Sequence, residues 1–443
     1  MDSELLHHVV DAALKAGADA AEAVGAERRS LSVTVRNGEL EEVEREESRD
    51  LGLRVFIGQR QAVVSGSDLS PTARAKLVAR AVAMARLAPE DPYTGFAPTD
   101  RLARGPFPAL DLHDPTEPSA EHLETLSRAA EVGARAVKGV ANSDGGSAAW
   151  SDGAWRLVTS AGFEGEHKAS SFSLSASAIA GEGSSMERAG DGRTTRHASD
   201  LPGADGIGAE AGRRAVERLN ARKIESRTAP VIFENRLAAS LMSPLIGAIA
   251  GPAVSRGVSF LKDRLGQTLF ASDISITDEP HRVRGLGSAP FDDEGVETVE
   301  RAIIDRGVLT TWLLNSASAR QLGLQTTGHA SRGLAGAPGV STHNLTLQPG
   351  TRSRTELMGD AKEGLLVTSM FGPSLNANTG DWSVGVSGFW FTGGEIAYPV
   401  TEITVAGNLL DLWARLIPAN DLEIRGSSNA PSILIDGVAI AGL

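Results

Sequence analysis

The 443-residue chain contains no cysteine and few aromatic residues. Without a thiol it cannot form a disulfide framework, a thiolate zinc site, an iron–sulfur cluster or a cysteine nucleophile. Aromatic residues make up 5% of the chain, whereas 49 positions are glycine. That glycine share is about 11%, against a usual share of about 7%. Small residues and frequent turns indicate sheets with tight connections.

The chain also lacks an excess of basic residues. It has 43 Lys and Arg against 56 Asp and Glu, which gives a formal charge of −13. Phosphate contacts dominate nucleic-acid affinity, and an acidic surface repels phosphates. We therefore expect no nucleic-acid partner.

A long, purely apolar run suited to a membrane is missing as well. The uncharged stretch 237–255 nearly reaches the ~20 residues that a span needs, but it contains Pro244 and Pro252. We predict a buried or interface helix bent near Pro244, and no membrane association. The N-terminus begins with acidic residues and apolar residues at helical spacing, which favours a cytoplasmic protein over a secreted one.

Periodicity predicts an α+β fold with antiparallel sheets and helices in the N-terminal part and a mostly β C-terminal domain with a few helices. The proposed boundaries are 1–115, 116–224 and 225–443, and the first two regions are compatible with one N-terminal domain. Helices are predicted at 3–16, 70–87, 119–138, 207–220, 237–255 and 406–416. The predicted strands include 31–35, 40–47, 51–57, 62–67, 148–160, 163–179, 184–197 and 231–233.

Familiar catalytic motifs are missing. There is no His-Glu-x-x-His helix, no G-x-S-x-G elbow and no strand-borne phosphate loop. His329 and His343 are able to approach each other across a glycine-rich loop, but without a carboxylate at ligand spacing they are better interpreted as structural histidines. The acidic run Asp292-Asp293-Glu294 suits either a divalent cation or a solvated turn.

The segment 376–391 has the most unusual pattern, because three glycines interrupt an otherwise strand-like sequence that ends in aromatic residues. Glycine weakens a strand unless another group approaches its backbone closely. The segment is therefore either a bulged core strand or the floor of a groove for an extended peptide. The candidate groove residues are His329, Gly380, Asp381, Gly385, Gly388, Phe389 and Trp390.

Several segments, taken together, resemble the TldD/TldE (PmbA) metallopeptidase family. They include Val231-Ile232-Phe233 before the small-residue helix, Thr326–Ala330, Thr379-Gly380-Asp381, Gly388-Phe389-Trp390 and Ile403–Asn408. The resemblance covers nearly the whole chain, is strongest from 231 to 443, and is closest to the TldE, or PmbA, type of subunit.

This resemblance implies a cytoplasmic heterodimer that degrades or processes unfolded peptides, including leader peptides. The TldD-type subunit of the family carries His-Glu-x-x-x-His and a late cysteine. The corresponding motif positions here are Met242, Ser243 and Gly247, and the cysteine region is 427–430, so the zinc ligands are missing. We therefore expect a non-catalytic subunit with no catalytic residue and no metal, zinc being held only by a TldD-type partner.

Two alternatives stay open. The chain is either a peptide-binding, chaperone-like protein without a protease role or a self-sufficient hydrolase that uses His329 with an oxygen-ligated metal. A homodimer is the expected alternative assembly when the chain is alone. The name "modulator of DNA gyrase", which sometimes accompanies the family, gains no support from the acidic charge.

Overall fold

An antiparallel six-stranded sheet organises the N-terminal half of the chain. The computed structural model describes residues 1–443, except for the side chain of Ser184. The strand order is β3-β2-β1-β4-β5-β6. Because β1 pairs with β4, the regions 1–115 and 116–224 share one sheet. The strands are β1 (Ala20–Arg36), β2 (Glu39–Ile57), β3 (Arg60–Gly66), β4 (Val140–Thr159), β5 (Glu164–Ala180) and β6 (Glu187–Thr195).

Strand β2 differs from its prediction. The segments 40–47 and 51–57 were expected to be separate strands, but they belong to one strand of 19 residues. Residues 39–47 are exposed on both faces, whereas 51–56 are buried on both. The strand therefore does not alternate between apolar and polar residues along its whole length, and the sequence pattern does not show it as one strand. Continuous pairing with β1 holds the exposed half in extended form.

Four helices pack on this sheet. The first three begin within one residue of their predicted starts, whereas the fourth begins three residues before its predicted start at 207. They are α1 (Ser3–Lys15), α2 (Pro71–Leu87), α3 (Ala120–Arg135) and α4 (Ala204–Glu217). Ser70 caps α2 by accepting a hydrogen bond from the Ala73 N–H, and Ser119 caps α3 in the same way through His122. Such caps satisfy backbone donors that have no partner inside a helix, which is why they mark helix starts in sequence.

The C-terminal half is built around a second six-stranded sheet, ordered β16-β15-β14-β7-β19-β17. Strand β16 also pairs with β19, so five of the strands close into a ring. These strands are β7 (Arg227–Phe233), β14 (Glu363–Leu375), β15 (Asp381–Thr392), β16 (Glu395–Asn408), β17 (Leu416–Pro418) and β19 (Ile433–Ala441).

Two smaller sheets and six short helices complete this half. The five-stranded sheet contains β8 (Ile276–Asp278), β9 (Arg301–Asp305), β10 (Val308–Leu309), β13 (Leu345–Leu347) and β18 (Ser428–Asn429). Strands β11 (Ala330–Ser331) and β12 (Gly339–Val340) form a pair. The helices are α5 (Asn235–Ala238), α6 (Ser243–Ile249), α7 (Gly251–Ser255), α8 (Ser316–Leu322), α9 (Arg354–Ala361) and α10 (Leu409–Ala414).

The prediction of one continuous helix over 237–255 is wrong, because the segment is interrupted twice. A 3₁₀ turn over Ala239–Met242 separates α5 from α6, and Ala250 is extended between α6 and α7. Pro252 lies in the first turn of α7, where the lack of an N–H group removes no hydrogen bond within the helix. Proline also has no N–H that could donate to the carbonyl of Ala248, four residues earlier. The Ser259 hydroxyl donates to that carbonyl instead, at 2.6 Å.

The predicted burial of this segment is confirmed, because residues including Leu241, Leu245 and Ile249 are buried in the largest apolar core. No helix among the described residues is both long and apolar enough to cross a membrane. The predicted helix 406–416 is shorter than expected. Residues 406–408 belong to β16, and the Asn408 side chain caps α10 by accepting from the Leu410 N–H.

A buried ionic group connects the two halves of the chain. Glu22 on β1 lies opposite Arg54 on β2, with 3.2 Å between Oε1 and Nη1. The same carboxylate oxygen accepts from Arg332, which follows β11 in the C-terminal half. All three side chains are almost completely buried, and Glu22 is the ion-pair partner of both guanidinium groups.

We expect Glu22→Gln to lower the free energy of unfolding by about 3–5 kcal/mol, because it removes the carboxylate that pairs directly with two buried cations. Glu47→Gln is the matched control. Glu47 pairs with Arg45 on the surface, where an ion pair contributes less than about 1 kcal/mol. Chemical denaturation measures both variants, and equal effects would contradict a dominant role for the buried group.

Candidate functional site

The three positions that correspond to the family's zinc motif lie in the broken helix, and they do not fit a metal ion. Met242 is 4% exposed and packs in the apolar core. Ser243 and Gly247 face outward on α6. Together they offer one hydroxyl and one buried thioether, which is not a zinc donor set.

The outward face of this helix is uncharged. Ser240, Ser243 and Gly247 are exposed at spacings of three and four residues, which places them on one side of the helical segment. Among the described residues, and apart from its chain neighbours and the backbone of its own helix, no heavy atom lies within 4 Å of the position that a Cβ would occupy at Gly247. The face is therefore open to an approaching molecule.

Strand β15 divides the predicted groove residues between two environments. Trp382, Val384, Val386 and Trp390 point into the core, whereas Gly385 and Phe389 belong to the less buried face. Gly388 is buried, and a Cβ there would lie 1.9 Å from the Leu366 carbonyl oxygen of β14. The structure thus corrects the groove interpretation for Gly388 and Trp390, because core packing occupies the surroundings of both.

The turn before β15 also has a structural explanation. Gly380 adopts a φ of +80° and is buried against the Phe260 ring. Asp381 is exposed, and hydrogen bonds from the Thr379 hydroxyl and the Asn408 amide lower the pKa of its carboxyl group. Glycine is required at Gly380 by its left-handed backbone and the close ring. Asp381, Gly385 and Phe389 remain the accessible candidates.

Phe389 lines a cavity of about 390 Å³ between α4 and the C-terminal sheet. Four arginines and two glutamates contribute to its wall, namely Arg213, Arg214, Arg218, Arg354, Glu217 and Glu234. Arg214 pairs with Glu234 through two hydrogen bonds of 3.0 and 2.6 Å. Arg218 donates to two backbone carbonyls. The buried hydroxyl of Thr368 has no hydrogen-bond partner among the described residues. The cavity is therefore cationic, with an apolar side at Phe389 and Tyr398.

His329 lies elsewhere, in a buried cluster that the sequence did not reveal. Its Nε2 is 3.1 Å from Asp278 Oδ2, and His343 Nδ1 is 2.9 Å from the same oxygen. The predicted approach of His329 and His343 is confirmed. The premise that no carboxylate accompanies them is wrong, because Asp278 joins both. His329 is 1% exposed, so it does not contribute to a peptide groove.

Burial and hydrogen bonds control ionisation in this cluster. Burial lowers the pKa of His329 despite the neighbouring carboxylate, so its neutral form is favoured. Although burial opposes ionisation of Asp278, hydrogen bonds from the two imidazoles lower its pKa to about 2. The group thus combines a carboxylate with imidazole nitrogens, a donor set suited to divalent transition metals.

The acidic run Asp292-Asp293-Glu294 is neither a solvated turn nor an open cation site. Asp292 is buried and accepts hydrogen bonds from the N–H groups of Glu294, Val296 and Ala330. Asp293 accepts from the Arg332 N–H, and Glu294 from the Ser316 N–H. Burial raises the pKa of all three carboxyl groups, to about 6 for Asp293. The run therefore organises the surrounding backbone.

Family comparison covers the chain in three parts. Models of the PmbA/TldA metallopeptidase match residues 21–85 as domain 1, 113–219 as the central domain and 226–442 as the C-terminal domain. The chain belongs to the PmbA/TldD metallopeptidase family. The suspected family resemblance is thereby confirmed, as is the α+β fold class.

Two relatives of the chain are named as metalloproteases. It is 39% identical to the metalloprotease PmbA of Escherichia coli O157:H7 over 99% of this chain and 96% of that protein. It is 37% identical to the PmbA homolog of Haemophilus influenzae over 98% of this chain and 94% of that protein. Both alignments are nearly full-length, so the family membership extends over all three regions.

Solved structures show the same architecture. A Bacteroides thetaiotaomicron protein described as a candidate modulator of DNA gyrase superposes with a TM-score of 0.92 at 27% identity, covering 100% of this chain and 99% of that one. TldE from Thermococcus kodakarensis superposes with a TM-score of 0.87, covering 99% and 100%. At 21% identity, the second likeness shows the fold alone.

Proposed function

We propose that this PmbA/TldD family member is a non-catalytic, TldE-type subunit of a heterodimeric metallopeptidase that acts on unfolded peptides. The observation that supports this most directly is the helix at the motif position. Met242, Ser243 and Gly247 supply neither a set of zinc ligands nor a general base, although the family framework around them is present. The catalytic zinc then belongs to a TldD-type partner, in a cytoplasmic complex.

The exposed side of this helix supports a role in assembly. Ser240, Ser243 and Gly247 present a small, uncharged surface. Ser240 also contacts the sulfur of Met370, and Phe371, the next residue on β14, is 56% exposed. Small residues permit close approach of a second protein, and exposed apolar side chains favour burial at an interface. The partner that we propose for this surface is a TldD-type subunit, because the family pairs the two types of chain.

We expect cleavage of an unfolded peptide only when a TldD-type chain is added to this one. A metal chelator should abolish the cleavage, because activation of water depends on the partner's metal ion. The experiment compares this chain alone, the partner alone and the mixture, with peptide products measured by mass spectrometry. Chelator-sensitive cleavage by this chain alone would favour the self-sufficient hydrolase instead.

A second candidate function is peptide binding without a protease role. The cationic cavity beside Phe389 and Tyr398 favours it, because arginine and aromatic groups suit the carboxylate and side chains of a peptide. The same experiment separates the candidates. Peptide binding by this chain with no effect on cleavage by the partner would support the chaperone-like role.

A further inference from the structure

The cluster of Asp278, His329 and His343 joins three segments that are distant in sequence. Asp278 ends β8, His329 directly precedes β11, and His343 lies just before β13. Pairing of β8 with β13 places Leu345 opposite Asp278, so His343 reaches the same carboxylate. The His343 N–H also donates to Asp278 Oδ1 at 2.9 Å, which fixes the direction of the carboxylate. The fold therefore preorganises the three side chains.

The spacing of the potential ligand atoms suits a small divalent ion. Asp278 Oδ2 lies 3.1 Å from His329 Nε2 and 2.9 Å from His343 Nδ1, and one ligand atom from each of the three residues lies within 4.8 Å of the others. Ligands of tetrahedral zinc at bonds of about 2.0–2.1 Å stand about 3.3 Å apart. The measured separations from Asp278 are thus close to those of zinc ligands, and a bound ion would require the side chains to adjust until each ligand atom lies at bonding distance.

A second set of contacts resembles the outer shell of a metal site. The other ring nitrogen of His329, Nδ1, is 2.9 Å from the Thr327 hydroxyl oxygen, which also accepts from the Leu314 N–H at 2.8 Å. Metal-binding imidazoles nearly always use their second nitrogen in such a hydrogen bond, which fixes the ring. Without a metal, the Nε2–H of His329 donates to the Asp278 carboxylate. When Nδ1 carries the proton instead and donates it to Thr327, the lone pair of Nε2 faces the carboxylate, and both can bind a cation between them.

His343 is the ligand candidate nearest to solvent. The side chains of Asp278 and His329 are 0% and 1% exposed, whereas His343 is 10% exposed and forms the outer side of the cluster. The cation nearest to the outer shell is Arg301, whose Nε donates to the Thr327 backbone carbonyl at 3.3 Å. Its charge interacts with the Asp278 carboxylate and therefore weakens the affinity of the cluster for a cation.

We propose that Asp278, His329 and His343 form a divalent transition-metal site, with Zn²⁺ as its first candidate ion. The site is separate from the family's motif helix, and it replaces the expectation that this chain holds no metal. Its role is to tie β8 to the segments before β11 and β13. A buried site of this kind stabilises the folded chain, because the unfolded chain lacks the preformed ligand arrangement.

The test uses the full chain after removal of metal with a chelator, and titrates Zn²⁺ against a chromophoric competitor. We expect one equivalent to bind, and His343→Gln to weaken binding about 100-fold or more, beyond the 10–100-fold effect typical of losing an outer-shell partner. Thr327→Val should fall within that smaller range. His122→Gln is the matched control, because this imidazole is exposed on α3, far from the cluster in the N-terminal half, and should leave affinity unchanged.

Two further measurements keep the outcome clear if a buried variant misfolds. Asp278→Asn preserves side-chain shape while removing the charge, and it should also lose binding. The wild-type chain should show a higher melting temperature with Zn²⁺ than with Mg²⁺. Absence of stoichiometric binding by the wild-type chain, or equal affinity in the folded His343→Gln variant, would overturn the proposal and leave a hydrogen-bonded triad. Neither result depends on a partner or on peptidase activity.

Discussion

Replacing Gly388 with valine is expected to prevent folding of the C-terminal domain. A Cβ at this position would lie 1.9 Å from the Leu366 carbonyl oxygen, and the obstructing group is backbone rather than a movable side chain. The pairing of β14 with β15 shifts register beside Gly388, which brings the two strands close together. We expect a loss above about 4 kcal/mol, the range of severe packing errors.

Gly385→Ala is the matched control on the same strand. Its added Cβ would meet the Phe371 ring at 2.3 Å, but that ring is 56% exposed and can rotate away. We therefore expect a cost of about 1 kcal/mol or less, as for tolerated strand substitutions. Thermal unfolding followed by circular dichroism measures both variants. A well-folded Gly388→Val protein would contradict the core assignment and restore the groove interpretation at that position.

Local signals made much of the fold predictable from sequence. Ser70 with Pro71 and Ser119 gave the starts of α2 and α3, because capping chemistry depends on a few neighbouring residues. Local signals did not predict the helix boundaries within 237–255. Its lack of charge predicted burial correctly, but its two prolines divide it into short helices rather than bending one helix.

The candidate sites were less predictable, because they depend on contacts between distant segments. Asp278 meets His329 across 51 residues and His343 across 65, and such a contact requires the pairing of β8 with β13. The burial of Asp292 was missed for a similar reason. A run of acidic residues usually indicates a solvent-exposed segment. Here, backbone N–H groups from two segments donate hydrogen bonds to the buried Asp292 side chain. Only the assembled fold supplies those donors.

Replacing Gly247 with arginine is expected to reduce partner-dependent peptide cleavage strongly while the chain remains folded. We expect the damage in assembly rather than in folding, because Gly247 is exposed on α6. Apart from its chain neighbours and the backbone of its own helix, no described heavy atom lies within 4 Å of an added Cβ. Arginine is also a better helix former than glycine, by up to about 1 kcal/mol. The melting temperature should therefore stay the same or rise.

A long cation on this uncharged face should instead block close packing of a TldD-type subunit. We expect co-purification and peptide cleavage to fall about tenfold or more, equivalent to about 1.4 kcal/mol of binding free energy. Gly359→Arg is the matched control, since Gly359 is exposed on α9 with equally open space around its Cβ position. It should retain full assembly. If Gly247→Arg assembles and supports cleavage as well as Gly359→Arg does, the helix face is not part of the subunit interface, and its uncharged surface needs another explanation.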